Sequence, residues 1–179
     1  MRAPLRSIDR PEPGEYPAYA EMYMKLIPRD GRVLEHLAAG LQEAEAFIRA
    51  LPPARLLHRY AEGKWSIKEI LVHIVDDERI YAYRALRFAR GEAQSMPGFD
   101  ENAYAAASRA DDRPLDSIFE EYAAVRQATI ALFKGLPEDA FLRMGTGSTP
   151  ENRTSVRALA YHIAGHERHH LNVIRERYL

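Results

Sequence analysis

Four long stretches of the chain place apolar residues three or four positions apart, which is the spacing of a helix with one buried face. No segment alternates apolar and polar residues as a half-buried strand does. The predicted helices run from Asp30 to Pro52, from Ile67 to about residue 90, from Asp116 to Gly135, and from Thr154 or Ser155 almost to Leu179. Four amphipathic helices joined by two longer connections predict an all-α fold, a four-helix bundle.

Local signals mark where some of these elements begin. Asp30 is the predicted N-cap of the first helix, and Asp100 is that of a short extra helix through Tyr104. Ser66 and Glu69 have the spacing of a capping box at the start of the second long helix. Residues 143–153, which are rich in Gly, Ser and Thr, are predicted to form a loop.

The first 28 residues are predicted to be a separate element. Prolines recur along residues 1–28 and disfavour helix at the residue before each one, so this segment is expected to be an extended arm. Its tyrosines and methionines are expected to pack on the body, the bundle of residues 29–179. The segment has no apolar core of a secretory signal, and the chain has no run of about 18 apolar residues to span a membrane. A cytoplasmic location is therefore expected.

Composition excludes several classes of site. The chain contains no cysteine, which rules out disulfides, thiolate zinc sites, iron–sulfur clusters and a cysteine nucleophile. The 25 Lys and Arg residues are balanced by 26 Asp and Glu residues, for a formal net charge of −1. Because the chain has no overall basic field to hold a phosphate backbone, no nucleic-acid partner is expected.

Four of the seven histidines lie close together on the last predicted helix. Residues three or four apart are neighbours on a helix face, so two imidazoles there can bind one metal ion. The candidate pairs are His162 with His166, His166 with His170, and His166 with His169. On a helical wheel, His170 lies within about 40° of the apolar centre and His166 within about 80°. His162 and His169 fall toward solvent, so His166 and His170 are the predicted inward pair, and Gly165 beside them allows close approach of another segment.

The second long helix offers a third ligand and several acids. His73 lies on the edge of its apolar arc, so periodicity is equally consistent with a rim histidine. Asp76 and Asp77 follow at positions from which either can orient that imidazole, and a solvated acidic edge explains them as well. Glu78, and Glu167 on the last helix, fall inside apolar arcs, where a carboxylate must be paired, hydrogen-bonded, metal-bound or protonated. Both fit a buried Glu–Arg pair as well as a role as a base or a hydrogen-bond acceptor.

Arg84, Arg87 and Arg90 form a basic run further along the second long helix. Because arginine binds carboxylates through two parallel hydrogen bonds, Arg84 and Arg87 are candidate anchors for a carboxylate-bearing cofactor or substrate. Ion pairs with neighbouring acids are the alternative explanation.

Two motifs together resemble the DinB/YfiT-like superfamily. The first is Gly63-Lys64-Trp65-Ser66-Ile67-Lys68-Glu69-Ile70-Leu71-Val72-His73, continued by Asp76, Glu78-Arg79 and Tyr83-Arg84-Ala85-Leu86-Arg87. The second is Gly165-His166-Glu167-Arg168-His169-His170-Leu171. The resemblance extends from about residue 28 to the end of the chain.

The resemblance implies a bundle of four long helices that holds a divalent metal ion through three histidines. Matched position by position, these are His73, His166 and His170. The resemblance implies nickel or zinc as the metal, with iron or manganese as alternatives, and a homodimer. Relatives include transferases and isomerases that use low-molecular-weight thiols, and metal-dependent hydrolases.

The implied centre leads to two kinds of chemistry. Three neutral imidazoles leave the metal its full charge, which lowers the pKa of a coordinated water to about 7 and ionises a coordinated thiol. The expected function is a metalloenzyme that acts on a small-molecule substrate, by hydrolysis or by thiol-dependent transfer with an external thiol cofactor. Glu167, or Asp76 beside His73, is the expected base or hydrogen-bond acceptor. The alternative is a non-catalytic dimeric helical bundle with a structural or relic metal site.

Overall fold

The computed structural model describes residues 5–179, and residues 1–4 of the predicted arm lie outside the described part. Within it the α-helices are α1 Glu21–Met24, α2 Val33–Arg49, α3 Ile67–Ala89, α4 Glu101–Ser108, α5 Leu115–Gly135 and α6 Val156–Arg177. Short 3-10 helices occupy Ala18–Ala20, Pro53–Leu57, Ala110–Asp112 and Glu138–Leu142. The two strands are β1 Met144–Thr146 and β2 Arg153–Ser155.

The four long helices pack as a bundle, which confirms the fold predicted from the apolar spacing. Helix α3 contacts α5 and α6, and α2 contacts the same two helices. The order around the bundle is therefore α2, α5, α3, α6, so the consecutive long helices α2 and α3 lie diagonally opposite. Helix α1 packs against α6, and α4 packs against α3. No helix within residues 5–179 combines the length and the apolar character needed to cross a membrane.

Side-chain caps set the start of α3 and α6. The Ser66 hydroxyl accepts a hydrogen bond from the backbone N–H of Glu69 at 3.1 Å, and the Glu69 carboxylate accepts one from the N–H of Ser66 at 2.8 Å. This reciprocal pair is the predicted capping box. Ser155 caps α6 by accepting from the N–H of Ala158 at 3.1 Å. The two helices that carry the candidate ligands therefore begin where the sequence places a cap.

The predicted cap of the first helix is wrong. Helix α2 begins at Val33, and the side chain of its N-cap residue, Arg32, forms no capping hydrogen bond. The Asp30 carboxylate instead accepts from the backbone N–H of Arg32 at 2.9 Å and contacts the His36 ring at 3.0 Å. Gly31, at φ 71°, turns the chain between Asp30 and the helix, so the carboxylate cannot reach the first helical N–H groups.

The prediction of a loop over residues 143–153 is also wrong in part. Strands β1 and β2 pair antiparallel, with Met144 opposite Ser155 and Thr146 opposite Arg153. Strands of three residues are too short to show alternation of apolar and polar side chains in the sequence. Gly145 lies directly against the Phe88 ring of α3, where a Cβ would overlap the ring, so the hairpin sits on the bundle.

The N-terminal segment packs on the bundle through both backbone and side chains. The N–H of Ile8 donates to the carbonyl of Gly31 at 2.9 Å, and the Tyr161 hydroxyl donates to the carbonyl of Ile8 at 2.9 Å. Ile8 and Met24 are buried. The segment is not extended throughout, because α1 forms within it and lies against α6.

Candidate metal centre

Three imidazoles from two neighbouring helices converge on one point. His73 projects from α3, and His166 and His170 project from α6 one turn apart. The Nε2 atom of His166 lies 3.1 Å from Nε2 of His73 and 3.1 Å from Nε2 of His170. His73 and His166 are buried, and His170 is half-buried. These three side chains are the histidine trio.

The spacing and the protonation state of the histidine trio both fit a metal ion. Two imidazole nitrogens bound at about 2.1 Å to one ion lie about 3.1 Å apart when the angle at the ion is about 95°. Burial lowers the pKa of all three rings, and for His166 and His170 the neighbouring histidines lower it further. The pKa of His170 falls to about 3. At neutral pH the rings are therefore unprotonated, the state that binds metals.

A buried carboxylate lies behind the histidine trio. Oδ2 of Asp77, one turn after His73 on α3, is 3.3 Å from Nδ1 of His166. A carboxylate at Nδ1 favours the tautomer whose Nε2 is free for a metal. Asp76, the predicted acid, does not occupy this position, because its carboxylate faces Arg79 at 3.7 Å and is partly exposed. Spacings of three and of four residues both place an acid beside His73 on α3, so the packing of α6, which brings His166 to Asp77, distinguishes the two aspartates.

The structure does not bring Glu167 to the histidine trio. The Glu167 carboxylate accepts a hydrogen bond from the Tyr122 hydroxyl at 2.7 Å and forms an ion pair with Arg126. Arg126 also pairs with Glu78, with Nη2 2.8 Å from Oε2. Gly40 of α2 makes room for the carboxylate, because a Cβ there would overlap Glu167. Both predicted buried glutamates therefore belong to one ion-pair cluster, which is the Glu–Arg alternative.

Arg126, at the centre of this ion-pair cluster, was not predicted from the sequence. Its side chain is 1% exposed, although it carries a charge that burial disfavours. Two carboxylates from α3 and α6 hold the pKa of this guanidinium above its ordinary value despite burial. Its position four residues after the buried Tyr122 places it on the inward face of α5, and that spacing was the available signal.

Arg84 and Arg87 form local contacts away from the histidine trio. Nη2 of Arg84 donates to the carbonyl of Pro97 at 3.0 Å, and Arg87 forms an ion pair with Glu92 at 2.8 Å. The ion-pair alternative therefore describes Arg87. That Arg84 and Arg87 anchor a cofactor or substrate stays a prediction, because neither of these contacts involves the histidine trio.

The prediction that His162 faces solvent is wrong, since the residue is 4% exposed. Its ring stacks on Tyr81 with the centroids 3.8 Å apart, and the edge of Tyr23 meets it at 4.9 Å. Tyr23 of α1 and Tyr81 of α3 cover this face of α6, and a helical wheel of α6 alone shows neither helix. Gly165 permits the contact, because a Cβ there would overlap the Tyr23 backbone, and the predicted close approach at Gly165 is confirmed.

A cavity of about 320 Å³ opens beside His170. Aromatic rings form much of its wall, from Tyr60, Trp65 and Tyr178, and its polar lining includes Glu101 of α4. The Trp65 ring lies 4.6 Å from the ring of His73, so the cavity wall and the histidine trio are continuous. Glu101 belongs to no motif in the sequence, and only the packing of α4 on α3 brings it to the site.

Sequence and structure are both similar to those of known bacterial proteins. A protein of Oceanobacillus iheyensis named "Putative metal-dependent hydrolase" is 26% identical over 129 residues, which cover 69% of this chain and 70% of that protein. YfiT from Bacillus subtilis, described as "a probable metal-dependent hydrolase with an unusual four-helix bundle topology", has a similar structure. The TM-score is 0.69, with 17% identity, over 88% of this chain and 84% of that one, and it supports the fold alone. The sequence model of the DinB superfamily matches residues 36–174, and the chain therefore belongs to the DinB superfamily.

Proposed function

We propose that the protein is a metalloenzyme that binds one divalent ion through the Nε2 atoms of His73, His166 and His170 and hydrolyses a small molecule. One observation carries this proposal: the three nitrogens converge beside a cavity of about 320 Å³. Structural zinc sites are closed by four protein ligands, whereas catalytic sites have three and an open position. Within the described residues the cluster has three ligands, which favours a catalytic site.

Nickel or zinc is the proposed metal, as the family resemblance implies, and the donor set is compatible with both. Imidazole ligands suit zinc, nickel and iron, whereas a chain without cysteine has no thiolate to offer softer ions. A bound ion would act as a Lewis acid and lower the pKa of a water coordinated to it. The chain itself prepares the ligands: Oδ2 of Asp77 lies 3.3 Å from Nδ1 of His166, and Trp65 covers the ring of His73. Both contacts restrict the rotation of the ligating rings.

The cavity limits which molecules reach the histidine trio. Its volume is at the lower end for small-molecule sites. Tyr60, Trp65 and Tyr178 favour a substrate with a flat or apolar part, because aromatic rings stack on such groups. Glu101 is the acidic side chain of the lining, so it is the candidate proton acceptor during attack by water. This role was expected of Glu167 or Asp76, neither of which lines the cavity.

Hydrolysis is preferred to thiol-dependent transfer for two reasons. The two relatives described above are both named as hydrolases. Arg84 and Arg87, the predicted anchors of a carboxylate-bearing cofactor or substrate, are absent from the cavity lining, so they offer a carboxylate-bearing thiol no anchor there. The non-catalytic dimeric bundle is disfavoured because it gives no reason for an open cavity beside three converging ligands.

Metal content and turnover in one preparation test the proposal. Wild-type protein purified without nickel resin is expected to contain about one divalent ion per chain. The His166→Ala variant is expected to contain less than about a tenth of that metal content. His36→Ala, a change outside the histidine trio, serves as the control. Esters and amides with aromatic groups are assayed with and without glutathione; turnover without the thiol supports hydrolysis, and turnover only with it supports transfer. A folded wild-type protein that binds no divalent ion contradicts the proposal.

Assembly and location stay predictions. The homodimer comes from the family resemblance, and sedimentation velocity tests it. The absence of a nucleic-acid partner comes from the net charge of −1, and a DNA-binding assay at low salt tests it. The cytoplasmic location is tested by cell fractionation.

A further inference from the structure

His162 is a buried histidine to which the proposed reaction gives no task. It lies one turn before His166 on α6 and is not a member of the histidine trio. The parallel stack on Tyr81, with 3° between the planes, fixes the orientation of its ring, and Tyr23 packs against the ring at an interplanar angle of 78°. The guanidinium of Arg84 lies 4.9 Å above the Tyr81 ring and holds that ring in turn. A histidine held so rigidly directs its nitrogens at fixed points.

One of these nitrogens faces the carboxylate that lies behind the histidine trio. Nε2 of His162 is 3.6 Å from Oδ2 of Asp77, and the same oxygen is 3.3 Å from Nδ1 of His166. Within the described residues, both Nε2 of His162 and Oδ2 of Asp77 are buried without a hydrogen-bond partner. Buried polar atoms without partners cost free energy, so a small closure that joins the two is favourable.

We propose that His162 is a positioning residue that acts on the metal centre through Asp77. Its Nε2–H donates to Oδ2 of Asp77, which also accepts from Nδ1–H of His166. A carboxylate held by two donors keeps the His166 tautomer whose Nε2 is unprotonated and directed at the other two ligands. The inference rests on the proposed function only for its effect on metal binding, because a hydrogen bond between His162 and Asp77 needs no metal to form.

Two substitutions separate the hydrogen bond from the packing of the ring. His162→Phe keeps the stack on Tyr81 and removes the donor, whereas His162→Gln keeps an N–H donor near the position of Nε2. Zinc affinity, measured by competition with a chelating dye, is expected to fall about three- to tenfold in H162F. It is expected to stay within about twofold of wild type in H162Q. Equal zinc affinity of folded H162F and wild type overturns the proposal.

A double-substitution cycle tests whether the effect passes through Asp77. Asp77→Asn alone is expected to weaken zinc binding more than H162F, and adding H162F to D77N is expected to change it no further. An H162F effect of equal size in both backgrounds indicates packing alone and rejects the proposal. His36→Phe, on α2, controls for the loss of a histidine elsewhere and is expected to bind zinc as the wild type does.

The hydrogen bond is also observable in the wild-type protein without zinc. Nuclear magnetic resonance of ¹⁵N-labelled histidines is expected to show a slowly exchanging proton on Nε2 of His162. Rapid exchange, or a proton on Nδ1 alone, refutes the inference even where H162F fails to fold. A slowly exchanging Nε2–H in a protein that takes up no zinc supports the hydrogen bond and rejects the proposed function, so the two failures are distinguishable.

Discussion

Oδ2 of Asp77 and Nδ1 of His166 face each other at 3.3 Å across the contact between α3 and α6, and both side chains are buried. A carboxylate that is not a ligand therefore lies directly behind a ligand of the candidate metal centre. Asp76, the preceding residue of α3, forms no such contact and pairs with Arg79 at 3.7 Å. The two adjacent aspartates provide a matched comparison.

Asp77→Asn is expected to lower metal affinity about 10- to 100-fold, because a neutral amide holds Nδ1–H of His166 more weakly than a carboxylate does. Asp76→Asn makes the same chemical change one residue away and is expected to stay within about twofold of wild type. Isothermal titration of zinc into metal-free protein measures both. Equal losses in the two variants would mean that the net charge of α3, and not the contact with His166, controls affinity.

The buried ion-pair cluster predicts a large effect on stability. Arg126→Met is expected to lower the free energy of unfolding by about 3–5 kcal/mol, because Glu78 and Glu167 then remain buried without a counter-charge. Arg109→Met breaks an exposed ion pair with Asp112 and is expected to cost at most about 1 kcal/mol. Urea unfolding measures both variants. A cost for Arg126→Met as small as that of the control would contradict the buried cluster.

The contact between α1 and α6 depends on the absence of a side chain at residue 165. Gly165→Ala is expected to destabilise the protein by about 1–3 kcal/mol, because the new Cβ overlaps the Tyr23 backbone. Gly135→Ala, at the end of α5, meets no atom within 4 Å and is expected to be neutral or stabilising by up to about 1 kcal/mol. Thermal unfolding measures the difference, and proteolysis near Tyr23 reports whether α1 detaches. Identical behaviour of the two variants would rule out the described packing of α1.

The ion pair between Glu15 and Arg157 predicts a pH dependence of stability. Burial by itself raises the pKa of Glu15, but the hydrogen bonds from Arg157, from the Glu12 backbone and from Ser155, together with the charge of Arg157, outweigh burial, and the pKa falls from 4.5 to about 2. Because the folded protein has the lower pKa, the stabilisation is complete above about pH 4.5 and is lost as the pH falls toward 2. Glu15→Gln is therefore expected to lower the free energy of unfolding at pH 7 by about 1–2 kcal/mol, allowing for partial solvent exposure.

Denaturant unfolding across this pH range measures the effect. The difference between wild type and Glu15→Gln is expected to shrink steadily below about pH 4.5. Glu120→Gln, a change at an exposed residue of α5, is the control and is expected to show little difference at any pH. A difference for Glu15→Gln that stayed constant with pH would show that the carboxylate charge is not its cause.

Most of the fold could be predicted because helices depend on local sequence. Apolar spacing located α2, α3, α5 and α6, and the caps at Ser66 and Ser155 lie where the sequence places them. Helix α1 and the β1–β2 hairpin could not be predicted, since elements of three or four residues carry no periodicity. The role of Asp30 was misassigned because the turn at Gly31 overrides its capping preference.

The sequence by itself determined which histidines can share a helix face, because residues four apart on α6 must project in nearly the same direction. Only the tertiary structure decided that Asp77 lies behind His166, that Glu167 turns to Arg126, and that His162 is buried. Each of these facts depends on a helix far away in the sequence that packs against α6. A helical wheel gives the direction of a side chain, but the burial and the charge that it meets belong to the neighbouring helix.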